Sequence, residues 1–294
     1  FMTAPFTADD KTAGAGTAEN AAKSGVAAIL AKDSEEAIAK AKQLLSVLPA
    51  NNLETAGNDY YMENDAAVSA DLKGIELISS VADKESVIEL YKQFGTSAVT
   101  AIGSLNWRTA GFVATNNGAK LTADDSAKIA RFVTLCDAYS IPVVTFVDSE
   151  GFEKSSAAEL AGSIRDSAKL AQAYASATTA KIAVVTGKAY GSAYVALAST
   201  AAGSDFTFAW EGAVIAPTTP EAAVVFLNGV SEDNAKQAQE YADNEADAFT
   251  AAANGYVDRV ITAEDTKSAL TSAIEATSSK RVVTPAKKHV NFVY

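Results

Sequence analysis

Two five-residue runs, Val143–Val147 (VVTFV) and Ile182–Thr186 (IAVVT), constrain the fold more than any other feature of the chain. Neither alternates apolar with polar residues, so each reads as a strand buried on both faces, the kind that builds parallel sheets. Helical patterns flank them. Asp124–Tyr139 carries Ile129, Phe132, Val133 and Cys136 on one stripe, with Thr122 placed to cap it, and Pro142 stops it ahead of the first run. A long helix is expected over Ala157–Ala175, and another starts near Ser192, after the second run. Strands alternating with helices predict an α/β fold, with ligands expected where strands hand over to helices.

The rest of the chain fits that plan. Ala98–Ile102 and Thr109–Thr115 read as a strand pair across the turn-like Ser104–Arg108. Short strands are expected at Phe206–Ala209 and Ala213–Ala216, and Pro220 suits the first turn of a helix over Glu221–Phe226. Asn234–Ala253 reads as one further helix, stopped by Asn254-Gly255. Ahead of all this, Asp33 or Ser34 can cap a helix carrying Ile38, Ala41, Leu44, Leu45 and Leu48 up to Pro49. A polar, turn-rich stretch, NNLETAGNDYYMENDAA, then reads as a connection.

Composition narrows the chemistry. A formal charge of −12, from 24 basic and 36 acidic residues, argues against a nucleic-acid partner. It leaves room for small anionic ligands held by local lysines or helix ends. No apolar run approaches the roughly 20 residues that span a bilayer, so direct membrane insertion is not expected. The opening FMTAPFTADDKTAG shows no secretory leader, and Phe1 ahead of Met2 suggests a segment of something longer. The single cysteine, Cys136, forms no intrachain disulfide, fits a reducing cytoplasmic setting, and reads as a buried core thiol. With one histidine, His289, and one cysteine, a Ser-His-Asp or Cys-His catalyst and a zinc site are poorly supplied, and no metal is expected.

Two strand ends are candidates for the chemistry: TFVDSEGF (145–152) and VVTGKAYGSAY (184–194). In the second, Gly187 and Gly191 are read as bracketing a turn into a helix whose first amides lack partners. Such amides stabilise an oxyanion without an ionisable side chain, and small residues at Gly191, Ser192 and Ala193 admit close approach. The same string also fits an ordinary strand–helix turn. Ser192 as a nucleophile would require Gly-x-Ser-x-Gly, which is absent. Asp148 and Glu150 point the same way at a strand end, close enough to repel, and read as turn caps or solvated groups rather than an acid–base pair. Tyr190 and Tyr194 fit a ligand pocket or core packing equally. Trp107 and Trp210 read as packing residues, and Lys287, Lys288 and His289 as a solvated tail rather than phosphate ligands.

Several strings resemble, in order and spacing, the C-terminal half of biotin-dependent carboxyltransferases. That family includes the β subunits of acyl-CoA carboxylases and the α subunits of methylmalonyl-CoA and glutaconyl-CoA decarboxylases. The strings are LLSVLPANN (44–52), TAGFVATN (109–116), AKIARFVTLCDAYSIPVVTFVDSEGF (127–152), SIRDSAKLAQAYASAT (163–178), KIAVVTGKAYGSAY (181–194), GYVDRVIT (255–262) and PAKKHVNF (285–292). FMTAPF and KSGVAAILA resemble the end of the family's N-terminal domain.

The resemblance implies a crotonase-like α/β fold, a ClpP/crotonase superhelix of ββα turns. It divides the chain into residues 1–55, the end of an N-terminal domain and a connecting helix; 56–80, a linker; and 81–294, the C-terminal carboxyltransferase domain. It further implies carboxyl transfer between carboxybiotin and the α-carbon of a short-chain acyl-CoA, using two backbone oxyanion holes. The biotin-side hole falls on the amides of Ser192 and Ala193, next to Gly191. Tyr190, Tyr194, Gly151 and Phe152 fall on the biotin pocket, and Val195 on the position that tunes acyl-chain preference. Implied partners are a biotin carboxyl carrier protein, the N-terminal carboxyltransferase half and further copies of the chain. Asp148-Ser149-Glu150-Gly151-Phe152 departs from the carboxylases' Asp-Val-Pro-Gly-Phe, Gly191-Ser192-Ala193 from their Gly-Gly-Ala, and Val195 from a common Asp. These departures lean toward the decarboxylase branch. The rivals are a CoA hydratase or isomerase, which needs a carboxylate not evident here, and a non-catalytic dimerising, carrier-binding half.

Overall fold

The protein is described by a computed structural model over residues 15–51, 54, 62–115 and 120–283. In chain order it forms α1 (Ala18–Lys23), α2 (Ser34–Val47), α3 (Gly74–Val81), β1 (Ile88–Leu90), β2 (Ala98–Leu105), β3 (Arg108–Thr115) and α4 (Ala123–Ala138). Then come β4 (Val143–Ser149), α5 (Ser156–Ala161), α6 (Ser163–Ser176), β5 (Lys181–Tyr190) and α7 (Gly191–Leu197). Beyond a 3₁₀ turn at Thr200–Ala202 lie β6 (Phe206–Trp210), β7 (Val214–Ala216), α8 (Pro220–Asn228), α9 (Asn234–Asn244), α10 (Ala248–Ala253), β8 (Arg259–Ile261) and α11 (Thr266–Ala276).

One sheet of eight strands runs β1-β2-β3-β4-β5-β6-β8, with β7 attached to β5. The β1–β2 and β2–β3 pairs are antiparallel, and every pair from β3 onward is parallel. The two apolar runs are central because both faces of β4 and β5 are covered. Val143, Val147, Ala183 and Val185 pack with Ile129, Phe132, Leu170 and Tyr174 of α4 and α6 on one face. Val144, Phe146, Ile182 and Val184 pack with Leu77 and Ile78 of α3 and Leu270 and Ile274 of α11 on the other. Fully burying one such side chain contributes about 1.5–3 kcal/mol, so an unbroken apolar run is what a two-sided sheet demands. Cys136 is buried in this core, and burial pushes its thiol pKa far up. Among the described residues, no helix is long and apolar enough to cross a membrane.

Several expectations hold with added detail. Thr122 caps α4 in a capping box: its Oγ1 accepts from Asp125 N at 3.2 Å and its N–H donates to Asp125 Oδ2 at 2.8 Å. The early helix is α2, capped by Asp33, and it is attached to the sheet, since Thr109 Oγ1 donates to Val47 O at 2.8 Å. Arg131 of α4 likewise donates to Gly25 O at 2.7 Å. Residues 74–81, which overlap the end of the 56–80 stretch expected as a linker, form α3 and enter the core.

Other expectations are corrected. The helix expected over 157–175 is broken at Gly162, whose φ of 97° is the left-handed conformation that glycine adopts without strain. The helix expected over 234–253 is also two, because the Asp247 carboxylate caps a new start by accepting from Phe249 N and Thr250 N. Trp210 packs as expected and donates from Nε1 to Thr266 Oγ1 at 2.8 Å, but Trp107 does not pack. It is 59% exposed on a two-residue hairpin, with Asn106 at φ 49° and Trp107 at φ 61°. That turn persists because the buried Asp83 carboxylate accepts from Asn106 N (3.0 Å), Trp107 N (2.9 Å) and Ser104 Oγ (2.6 Å).

Candidate active site

Parallel β4 and β5 end side by side, which brings the two sequence candidates together. Pairing between them is irregular between Val147 and Ser149, and resumes as Ser149 opposite Ala189. The displaced Asp148 is held on both sides. Its N–H donates to Thr115 Oγ1 at 2.7 Å, and its Oδ1 accepts from Lys188 N at 3.0 Å. A Cβ at Gly187 would lie 2.6 Å from Asp148 Oδ1, so a side chain there would push that carboxylate away from Lys188 N.

The turn expected between Gly187 and Gly191 is instead strand. β5 continues to Tyr190 because β7 pairs with Lys188, Ala189 and Tyr190. The chain turns only at Gly191, φ 56°, where a Cβ would stand 3.1 Å from Pro217 O. α7 follows at once, with Tyr190 as an N-cap that makes no side-chain cap bond. α7 therefore begins without a side-chain cap, and the N–H groups of its first turn have no intrahelical acceptor. Ser192 is exposed and Ala193 buried.

A cavity of about 810 Å³ adjoins this strand end. Thr186, Lys188 and Tyr190, at alternating positions of β5, line it with Asp148 and Glu150 from the end of β4, facing Glu221 of α8 and Gln239 of α9. Asp148 and Glu150 share a side as expected, but they do not simply repel, because Lys188 lies between them. Its Nζ is 2.8 Å from Glu150 Oε1 while its backbone N–H serves Asp148. The hydrogen bond to Glu150 raises the Lys188 pKa above its ordinary value.

Of the residues that the resemblance places at the biotin site, Tyr190 alone lines the cavity; it is buried and packs with Ala216 and Ala246, and burial raises its phenol pKa. Tyr194 packs partly against the core, donates to Tyr256 O at 2.7 Å, and is pushed up to about 12 by burial. Gly151 has φ 108° and its carbonyl accepts from Leu121 N at 2.9 Å, while Phe152 bridges to Leu121 and packs against the core. Val195 is half-exposed on α7. Lys287, Lys288 and His289 lie outside the described residues. Sequence reasoning passed over Thr186 and Lys188, although their period-two spacing from Tyr190 places all three on one side of a strand. Among the described residues, no group of three or more His, Cys, Asp or Glu is arranged to hold a metal ion.

Residues 3–292 match the carboxyl transferase domain family. The chain is 35% identical to the methylmalonyl-CoA carboxyltransferase 12S subunit of Propionibacterium freudenreichii subsp. shermanii, over 99% of this chain and 61% of that protein. It is 34% identical to the propionyl-CoA carboxylase beta chain of Cereibacter sphaeroides, over 94% and 58% respectively. It is 33% identical to the methylmalonyl-CoA decarboxylase subunit alpha of Veillonella parvula, over 91% and 56%. These similar identities do not single out the decarboxylase branch. The chain thus spans about three fifths of the length of such relatives. A crystal structure of transcarboxylase 12S, with methylmalonyl-coenzyme A and methylmalonic acid bound, superposes with a TM-score of 0.86 at 35% identity, covering 94% of this chain and 58% of that one. Together with the ladder of parallel strands and covering helices, this establishes the crotonase-type α/β fold. The chain belongs to the carboxyl transferase domain family.

Proposed function

We propose that this chain is the biotin-side part of a biotin-dependent acyl-CoA carboxyltransferase, moving a carboxyl group between carboxybiotin and the α-carbon of a short-chain acyl-CoA such as propionyl/methylmalonyl- or acetyl/malonyl-CoA. One observation carries the reading: the uncapped start of α7, placed by Gly191 at the end of a central parallel strand. Donors aimed at a carbonyl oxygen polarise it without any imidazole or thiol, which suits a chain with one histidine and a buried cysteine. The residues fit a cyclic urea. Ser192 and Ala193 would offer N–H groups to its oxygen, and the missing side chain at Gly191 leaves the approach open. Tyr190, Tyr194, Gly151 and Phe152 would shape the surrounding pocket. Biotin, when carboxylated, supplies the activated carboxyl group. Ser192 acts through its amide and not its hydroxyl, and Val195 borders the acyl chain.

The reading assigns residues 1–55 to the end of an N-terminal domain and its connecting helix, 56–80 to a linker, and 81–294 to the C-terminal domain. The CoA-binding half would then be a separate partner, alongside a biotin carboxyl carrier protein, in the cytoplasm. A homo-oligomer is part of the proposal. The 12S relative is described as a hexamer, and α8 and the turn after it present Phe226, Leu227 and Val230 to solvent, with Phe226 88% exposed. Covering such a patch with a second copy removes it from water.

The test is carboxyl exchange with malonyl-CoA and methylmalonyl-CoA, run on the chain with and without the N-terminal half, beside a biotin-binding measurement. Ser192→Pro removes one amide donor in the first turn of α7, where no intrahelical hydrogen bond is lost. It is expected to abolish biotin binding while circular dichroism stays native. A folded Ser192→Pro chain that binds biotin undiminished would refute the site. Because the chain spans about three fifths of its relatives' length, a second reading stands beside the first: binding without turnover, as a dimerising, carrier-binding half. Exchange activity of the chain alone would dismiss it.

A further inference from the structure

We propose that Asp148 is a positioning residue: its carboxylate fixes where β5 ends and α7 begins. The inference rests on the biotin-side reading above and deepens it, by naming what sets the first turn of α7 in place. Register is the first argument. β4 takes two residues to pass from Val147 to Ser149, while β5 takes four to pass between their partners, Val185 and Ala189. β5 therefore carries two extra residues, about 6.6 Å of strand length. A bulge of this kind bends its strand and re-aims what comes after it. Here α7 comes after it, starting three residues beyond Lys188.

Hydrogen bonding is the second argument. Pairing of β5 with β6 stops at Val185, and pairing with β7 starts at Lys188. Thr186 and Gly187 thus have no counterpart in the registers of β5 with β4, β6 or β7. The Asp148 side chain spans this break. Its Oδ1 accepts from Lys188 N at 3.0 Å, standing in for the main-chain acceptor that the bulge takes out of register. Asp148 N donates to Thr115 Oγ1 at 2.7 Å. The residue is tied to β3 through its backbone and to β5 through its side chain.

The third argument is that this hold needs an oxygen and not a charge. The Lys188 ammonium is taken by Glu150 Oε1 at 2.8 Å, and the bond that Asp148 Oδ1 accepts comes from the Lys188 backbone. Gly187 packs against the same carboxylate, where a Cβ would stand 2.6 Å from Oδ1. A neutral amide with its oxygen in that place does the same work, and a methyl group does not. An acid–base role, in contrast, needs the ionisable carboxyl group itself.

Asp148→Asn keeps the acceptor oxygen and Asp148→Ala deletes it, so titrating biotin into the full chain by NMR separates placement from charge. Asp148→Ala is expected to weaken biotin binding about tenfold or more, since small displacements of site groups are costly, and Asp148→Asn to bind as the wild type does. Asp83→Ala, which loosens the hairpin at the opposite end of β3, controls for general destabilisation and should leave binding unchanged. Gly187→Ala displaces the carboxylate without deleting it, and takes the place of Asp148→Ala if that variant does not fold. Unchanged binding in Asp148→Ala or its substitute, an equal loss in Asp148→Asn, or an equal loss in Asp83→Ala overturns the proposal. Failure of the wild-type chain to bind biotin refutes the biotin-side reading instead. The amide signals of Ser192 and Ala193 then decide: they are expected to shift in Asp148→Ala and not in Asp148→Asn, and signals that stay in place in both variants overturn the positioning role.

Discussion

Lys128 offers a quantitative test of the fold. Its side chain is 2% exposed within α4, and its ammonium donates to Gly95 O at 3.2 Å and Ala98 O at 2.7 Å. Asp125, one turn earlier, accepts from Ala98 N at 3.0 Å, so α4 grips both polar groups of the residue that opens β2. Burial lowers the Lys128 pKa from 10.5 to about 8, against the opposing pull of Asp125 and Glu89. At 1.36 kcal/mol per pKa unit, keeping the group charged costs the fold about 3 kcal/mol. In the unfolded chain the ordinary value returns. Below about pH 8 both states are protonated and the full cost is present. Between about 8 and 10.5 the native state releases its proton first, so the unfolded state binds more protons and stability rises with pH.

Lys128→Met keeps most of the stem's packing and removes the titration. At neutral pH its net effect is small, because relief of the charge is offset by two carbonyls losing a donor at about 1 kcal/mol each. The pH dependence is the clean readout. Between about pH 7 and pH 10, wild-type stability should gain about 2–3 kcal/mol relative to the variant, with every other titrating group cancelling. Urea unfolding across that range, followed by tryptophan fluorescence, measures it. Profiles that stay parallel to within about 0.5 kcal/mol would refute the claim that a charged lysine is buried under α4.

Two further outcomes follow from the same geometry. Gly187→Ala places a methyl 2.6 Å from Asp148 Oδ1, which forces the carboxylate away from Lys188 N; a loss of about 1–3 kcal/mol in denaturant melts is expected, together with weakened ligand binding. Asp83→Ala leaves Asn106 N, Trp107 N and Ser104 Oγ without their shared acceptor; it should cost about 2–3 kcal/mol and speed hydrogen exchange at the hairpin, and an unchanged exchange rate would contradict the anchoring role.

How much of the site was legible depends on how local its causes are. Thr122 as a cap and the two central strands rest on nearest-neighbour chemistry and on burial pattern, and both are read directly from residue types. The breaks at Gly162 and Asp247 were missed because amphipathic spacing continues across them, and only backbone conformation interrupts the helices. Trp107 was misjudged for a longer-range reason: nothing near it reveals that Asp83, 24 residues away, would hold a bulky side chain in a left-handed turn. The Gly187 turn failed similarly. Whether a strand ends depends on whether a neighbour pairs with it, and β7 lies more than 20 residues further on.

Sequence alone determined the α/β class, the family resemblance, the poor supply of imidazole and thiol, and the string Gly191-Ser192-Ala193 after a central strand. These are properties of composition and of short-range order, which survive without coordinates. Tertiary structure decided what surrounds that string: Lys188 set between Asp148 and Glu150, Gly187 packed against the Asp148 carboxylate, and Tyr194 tied to Tyr256. Each depends on which strands become neighbours, and that follows from burying two faces of one sheet at once rather than from any residue's own preference.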